Sequence, residues 1–311
     1  MNPEKQKLRA ILFELGFESI KITDSNPPDY LEFFNQWLTN NYHGSMDWME
    51  KHREIRLDVQ KLLPGTKSLI FVSKNYFKKI NPDSHSKQRY VKIARYALGK
   101  DYHHLIKRRL KKGVELLKTE YPRANFRICV DTAPLLEKIW AMKSGLGFMG
   151  KNTNLIQKEN GSWFFIGALL SDKIFPPDRP ELSHCGKCRA CLDACPTGAF
   201  PAPYVLDARK CISYLTIEHK GDFNRDTDLS GWLFGCDICQ EVCPFNRFSK
   251  ETAEVAFQIT KGRLEPSLTF LKSLDEKGYK SFIKKSAMQR LKYSNFRRNL
   301  KNLEEPTPYH P

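Results

Sequence analysis

Eight of the nine cysteines in this 311-residue chain stand where they could share two inorganic clusters. Cys185, Cys188 and Cys191 recur every three residues. Cys195 follows four later, with Pro196 behind it. At that spacing three thiolates take three corners of one 4Fe–4S cube, and the fourth reaches a second cube. A second group is therefore required downstream. Cys236, Cys239 and Cys243, the last of them before Pro244, supply it, and Cys211 between the groups completes the eight. Cys243 before Pro244 is the counterpart of Cys195 before Pro196. Cys243 is thus expected to join Cys185, Cys188 and Cys191, while Cys195 joins Cys211, Cys236 and Cys239. Paired Cys-x-x-Cys also suits zinc, but the Cys-Pro ends and the three-plus-one spacing favour iron–sulfur clusters. Disulfides belong to an oxidising compartment that nothing here marks, and a chain this long builds a core without them.

Charge is the second signal. Lys plus Arg number 51 and Asp plus Glu 35, a net +16. A nucleic-acid partner would use that excess through phosphate contacts and counterion release. A generally basic surface without a polyanion partner is the alternative. From Lys277 to Leu303 there is no acidic residue. Lys284, Lys285, Arg290, Lys292, Arg297 and Arg298 are interleaved there with Phe282, Tyr293 and Phe296. Basic groups for phosphates beside aromatic rings for stacking suit RNA. The same pattern also fits the solvated face of an amphipathic helix pair. Apolar content is 41%. No run approaches the length of a membrane span, and residues 1–20 are charged and periodic, unlike a signal peptide. The expectation is a monomer in a reducing cytoplasm, without membrane attachment.

These groups must be positioned by the elements around them. Residues 4–15 read as a helix stopped by Gly16. Asp29 opens a second helix bearing Leu31, Phe33, Phe34, Trp37 and Leu38. His43-Gly44-Ser45 is a loop, followed by a short helix near 46–51. Pro64-Gly65 is a turn, and 68–73 a buried strand. Residues 78–89, with Asn81-Pro82, form a loop. A long basic helix spans about 101–120. His103 and His104 at its start invite a metal or cofactor reading, but a histidine pair in polar surroundings fits equally. The Asp-x-His-x-x-Gly signature of a histidine lower ligand to cobalamin fails at the glycine. Residues 126–130 form a strand in which Cys129 is a small buried hydrophobe. Asp131 stands where that strand gives way to a helix starting at Thr132-Ala133-Pro134, as a working carboxylate or as an N-cap. Gly145-Leu-Gly147-Phe-Met-Gly150-Lys151 imitates nucleotide motifs, which need a strand before the glycines and a helix after. Here a helix precedes, and a hairpin through Asn160-Gly161 and 162–170 follows. The glycines instead allow close approach to something large and flat, or a tight turn. Pro176–Pro180 reads as a linker.

Taken together the motifs resemble the epoxyqueuosine reductase family. The resemblance lies in Arg95-Tyr96-Ala97-x-Gly99-x-Asp101-Tyr102-His103, Asp131-Thr132-Ala133-Pro134 and Gly145-Leu146-Gly147-x-x-Gly150-Lys151-Asn152. It continues in Cys211-Ile-Ser-Tyr214-Leu-Thr-Ile-Glu218, Gly235-Cys236-Asp237-x-Cys239-Gln240 and Arg297-Arg298-Asn299, in order along nearly the whole chain. It implies reduction of epoxyqueuosine to queuosine at the wobble position of tRNAs for Tyr, His, Asp and Asn, the last step of queuosine synthesis. The implied cofactors are two 4Fe–4S clusters and cobalamin, bound base-off. Many members continue into a helical-repeat domain, whereas this sequence ends at Pro311. The tRNA grip is therefore expected on 277–303 and the 100–112 helix.

The implied fold is α+β: a nitroreductase-like α/β cobalamin-binding domain over 1–175, a two-cluster ferredoxin-like domain over 176–250 and a basic helical tRNA-contacting tail over 251–311. Asp131 is the expected general acid, with its pKa raised against the corrin. Arg56, Tyr96, Asp131, Asn152, Leu155, Ser213 and Asp237 are the expected cobalamin neighbours. Lys284, Lys285, Arg290, Lys292, Arg297 and Arg298 are the expected tRNA contacts, and a low-potential donor supplies electrons. Two rivals remain: a dehalogenase-like small-molecule reductase, and a non-catalytic two-cluster electron carrier. The carrier leaves the charge, the acid-free segment and the Asp131 region without a purpose.

Overall fold

The computed structural model describes residues 2–80 and 90–304. In chain order the elements are α1 (Pro3–Glu14), β1 (Ser19–Asp24), α2 (Leu31–Thr39), α3 (Asp47–Lys51), α4 (Arg53–Leu57), β2 (Ser68–Asn75), β3 (Lys92–Ile93), α5 (Tyr102–Glu120), β4 (Phe126–Cys129) and α6 (Glu137–Lys143). There follow β5 (Phe148–Met149), β6 (Leu155–Ile156), β7 (Phe164–Ser171), α7 (Ala190–Asp193), α8 (Ile212–Ile217), β8 (Trp232–Phe234), α9 (Ile238–Glu241), α10 (Leu268–Ser273), α11 (Glu276–Phe282) and α12 (Tyr293–Glu304).

The main sheet has the order β1-β2-β7-β4, every neighbouring pair antiparallel. Strand β2 is buried from Ser68 to Lys74 because helices cover both faces, so its sequence is a continuous apolar run rather than an alternation. Ile70 and Val72 face α1 and α5 with Leu8, Leu12, Ile106 and Leu110. Leu69 and Phe71 face the opposite core with Phe34, Cys129, Trp140 and Leu170. Cys129 is fully buried, as expected of a structural thiol. Among the described residues, no helix is long and apolar enough to cross a membrane.

The structure differs from the sequence reading at five places. Strand β1 was not expected, although Ile20 and Ile22 alternate with polar neighbours and pair with β2. Helix α2 begins at Leu31 with Tyr30 at its cap position and no side-chain cap, so Asp29 does not open it. Helix α6 begins at Glu137, not Thr132, and Asp131 is not its N-cap. The hairpin also dissolves: β6 pairs with β5 while β7 joins the main sheet, leaving only a bridge between Gln157 and Gly161. The part of the expected 78–89 loop from 81 to 89, including Asn81-Pro82, lies outside the described residues.

The fifth difference is the C-terminal segment. Phe296, Leu300, Leu303, Tyr279 and Met288 share a core with Ile93, Leu98, Leu233 and Phe234. Buried Asn299 donates to the carbonyls of Thr216 at 2.9 Å and Leu233 at 3.0 Å. Phe296 is buried and Phe282 and Tyr293 partly so, packed against that core. The rings are spent on packing and do not form the expected stacking surface. Segment 268–304 is thus a packed layer over α8 and β8.

Candidate functional site

Asp131 lies on the loop that leaves β4. Its φ is +56°, a left-handed conformation that costs a non-glycine residue free energy and that clusters at working sites. Its backbone N–H donates to Glu137 Oε1 at 2.8 Å, which ties the loop to the first residue of α6. Its carboxylate Oδ2 lies 2.9 Å from His103 Nε2. Asp101, the N-cap of α5, accepts from His103 N at 3.0 Å and lies 2.7 Å from His103 Nδ1. The imidazole is therefore held at both nitrogens by carboxylates, and Tyr102 stacks on it with ring centroids 4.1 Å apart. This agrees with the reading of His103 as a helix-start histidine in polar surroundings and leaves the ring no nitrogen to spare for a metal. Only the fold could bring it to Asp131, 28 residues away.

The charges follow from these contacts. Burial works against a charged ring at His103, but its hydrogen bonds to Asp101 and Asp131 push its pKa up to about 9. Partial loss of solvent around the half-exposed side chain would raise Asp131. The hydrogen bond and charge of His103, with Arg290 and Tyr102, instead hold it below the usual carboxylate value. The expected raised Asp131 is thus corrected for this arrangement. Burial, reinforced by the Asp131 charge, pushes Glu137 up to about 8. At neutral pH the protons sit on His103 and Glu137, on either side of an ionised Asp131.

The cysteine side chains converge in two sets. Cys185, Cys188, Cys191 and Cys243 line one cavity with Lys151, Asn152 and Ile156. Cys195, Cys211 and Cys236 influence one another's charge, and Cys211 and Cys236 act on Cys239. Among the described residues no three His, Cys, Asp or Glu side chains are placed to hold a single metal ion.

The glycine-rich turn that imitates a nucleotide loop joins these sets to Asp131. A side chain at Gly147 would strike the carbonyl of Ile156 at 2.5 Å, so the glycine serves close backbone packing. Lys151 Nζ donates to the carbonyls of Gly186 at 2.7 Å and Cys188 at 2.8 Å. Asn152 donates to the Cys239 carbonyl at 3.1 Å. Asn154 Nδ2 approaches Cys239 Sγ at 3.9 Å, and Asn154 Oδ1 accepts from Lys138 Nζ at 3.1 Å. Lys138, the second residue of α6, feels the charges of Cys239, Cys211 and Asp131. Lys138 and Asn154 are thus site residues that spacing gave no means of finding.

The other expected site residues divide. Arg56 on α4 feels the charges of Glu137 and Asp131, and its buried Nε has no protein partner. Tyr96 and Ser213 are half-buried. Asp237 is 2% exposed and accepts from Arg95 N at 2.8 Å, and burial pushes its pKa up to about 7. Leu155 is buried in the α6-side core. The Asp237 and Leu155 side chains are therefore committed to the protein itself. Tyr214 donates or accepts at Ser45 Oγ over 2.8 Å, and a side chain at Gly44 would overlap its hydroxyl.

Of the basic residues, Lys284, Lys285, Lys292, Arg290 and Arg297 are exposed. Arg290 clasps Glu218 at 2.5 and 3.0 Å and lies 5.3 Å from the centre of the Trp48 ring. Arg297 donates to the carbonyl of Lys272. Arg298 is not a free cation. It donates to the carbonyls of His219, Gly221 and Leu215 and stacks on Phe223. Arg298→Ala should therefore destabilise the fold by ~2 kcal/mol. It should leave the salt slope of tRNA binding unchanged, as thermal unfolding beside a salt titration will register.

The model of the family described as "Epoxyqueuosine reductase QueG, DUF1730" matches residues 56–132, and that of the "4Fe-4S double cluster binding domain" matches 184–246. The epoxyqueuosine reductase of Cellulophaga algicola is 40% identical over 299 residues, covering 94% of this chain and 95% of that one. A solved epoxyqueuosine reductase with an epoxyqueuosine-modified tRNA-Tyr stem loop superposes with a TM-score of 0.87 at 28% identity, covering 96% of this chain and 80% of that one. The Bacillus subtilis reductase, solved with its aspartate catalytic loop swung out of the active site, gives 0.87 at 27% identity, with coverage of 96% and 81%.

Proposed function

The chain belongs to the epoxyqueuosine reductase family, and we propose that it reduces epoxyqueuosine to queuosine at the wobble position of tRNA, the last step in making that nucleoside. It is an oxidoreductase of epoxyqueuosine in tRNA with a double 4Fe–4S cluster domain. The observation that carries the mechanism is the Asp131–His103 pair, with Lys138 feeling the charges of Asp131 and of Cys211 and Cys239 from the inner thiol set. The four-stranded sheet and its helices are read as the nitroreductase-like scaffold that the resemblance implies.

Opening the epoxide and releasing its oxygen as water consumes two electrons and two protons. The eight cysteines would hold clusters that supply electrons singly, and a bound cobalamin would supply the low-valent metal chemistry that the epoxide requires. One polar group is left over for such a ligand: the buried Arg56 Nε, which lacks a protein partner and feels the charges of Glu137 and Asp131. With both nitrogens taken by carboxylates, His103 itself is not free to ligate a bound metal. The protons come from the protein. Asp131 Oδ2 takes one from His103 Nε2 and passes it to the departing oxygen. Glu137, protonated at neutral pH, holds the second. The left-handed backbone at Asp131 suits a loop that changes position as substrate enters.

Anaerobic reaction of reconstituted protein with epoxyqueuosine tRNA and a low-potential reductant should yield queuosine only when cobalamin is supplied. Conversion without cobalamin would overturn its role. No conversion despite intact clusters and bound cobalamin would favour a small-molecule reductase.

The pH dependence is set by two groups with raised pKa values. Each keeps its proton below its folded pKa and loses it as pH rises through that value. With pre-reduced enzyme, the single-turnover rate should hold through neutrality and fall between about 8 and 9. In His103→Gln the fall should move to lower pH, because Asp131 then lacks its donor. A superimposable profile would remove His103 from the proton path.

A further inference from the structure

The two thiol sets are not equivalent in exposure. Cys239 and Cys211 face inward, toward Asn154 and Lys138. Cys188 is exposed and Cys185 and Cys191 are half-buried, so the outer set is where electrons enter. This rests on reading the eight cysteines as two clusters.

The rim of the outer set is built for an anionic protein. Its acidic side chains have partners within the chain: Asp193 pairs with Arg189 at 3.3 Å, Glu241 with Arg95 at 2.6 Å, and Glu181 lies 3.4 Å from His184 Nε2. Lys187 and Arg247 are exposed and face no acidic partner among the described residues. Lys151 adds its charge by holding the Gly186–Cys188 loop. Large apolar side chains stand out between these cations: Leu182 is 83% exposed, Phe248 79% and Val242 37%. They belong to one edge. Leu182 precedes Ser183, which meets Tyr204, whose N–H donates to the Lys151 carbonyl. Val242 and Phe248 flank Cys243 and Phe245, and Phe245 packs on Phe148 against His184. Exposed apolar groups ringed by unpaired cations over a redox centre suit a small, weak and salt-sensitive interface.

We propose that this edge docks a small acidic one-electron carrier protein, with Lys187 and Arg247 as charge contacts and Leu182 and Phe248 as apolar contacts, placing the carrier's redox group against Cys188. The surface carries no part of the Asp131 cleft, so carrier and tRNA bind at the same time.

The test uses an acidic two-iron ferredoxin as the probe. Its affinity for the reconstituted protein should weaken about tenfold as salt rises from about 50 to 300 mM. The double variant Lys187→Glu/Arg247→Glu should lose roughly tenfold in affinity at low salt and slow ferredoxin-driven bleaching of the clusters by a similar factor. Phe248→Ser should weaken binding without changing its salt dependence. Bleaching by dithionite and affinity for a tRNA stem loop should stay unchanged in all variants. Unchanged ferredoxin binding would overturn the proposal, and so would an equal loss of tRNA affinity, which would assign the edge to RNA. If dithionite failed to bleach even the unaltered protein, the two-cluster reading itself would fall.

Discussion

Asp131→Asn should leave a folded protein with both clusters whose turnover falls by about 10²–10⁴, the range that a positioned general acid supplies. The exchange keeps the shape of the side chain, and Asp131 occupies a loop with its side chain 49% exposed, so the cores are untouched. An amide can still meet the imidazole but cannot carry a proton to the epoxide oxygen. His103 would also lose one of the two carboxylates that raise its pKa, drawing it down from about 9. Single-turnover conversion of epoxyqueuosine tRNA measures the loss, and the cluster absorption before reaction shows whether the metal content is intact. Retention of turnover within tenfold would remove Asp131 from the proton path. Glu137 would then be the next residue to replace, since it holds a proton beside the same loop.

The second large effect lies at Cys211. Cys211→Ala should remove one cluster, lowering iron from about eight to about four per chain, and should abolish tRNA-dependent turnover. This thiol stands alone between two cysteine groups, at the N-terminal end of α8, where it faces Cys195 and Cys236. Cys129→Ala is the matched control. Cys129 lies in the α6-side core against β7, and its loss should cost stability without loss of iron. Iron and sulfide analysis with electron paramagnetic resonance of the reduced proteins distinguishes the outcomes. Eight irons in Cys211→Ala would show that another group completes the inner set.

Both effects arise where local pattern and long-range packing meet, and the two contributed differently. The thiol spacing is a local property: three residues of separation fix how far apart neighbouring side chains stand, so their chemistry is written in the sequence. Strand β2 is legible for a similar reason, because burial on both faces demands a continuous apolar run. Strand β1 carried a usable signal in the alternation of Ile20 and Ile22, and its interrupting polar residues hid it.

The basic C-terminal segment shows where composition runs out. Its freedom from acidic residues is plain in the sequence, but charge does not say which cations face solvent. Arg298 spends its guanidinium on three backbone carbonyls, and Phe296 is buried, whereas Lys284, Lys285 and Lys292 are exposed. Helical periodicity gives a face, and only packing decides whether that face meets water or α8.

By itself the sequence determined the family, the double-cluster cysteine spacing, the two-sided strand at the centre of the sheet and the position of Asp131 at the end of β4. The tertiary structure alone decided the proton chemistry and the wiring. His103 reaches Asp131 because α5 and the β4 loop converge on the same end of the sheet, and two carboxylates around one imidazole then place the proton on the ring. The turn from Gly150 to Asn154 links both thiol sets to α6 through hydrogen bonds of Lys151, Asn152 and Asn154. A pKa depends on burial and on charges within a few ångströms. Those neighbours come from distant parts of the chain and exist only once it is folded.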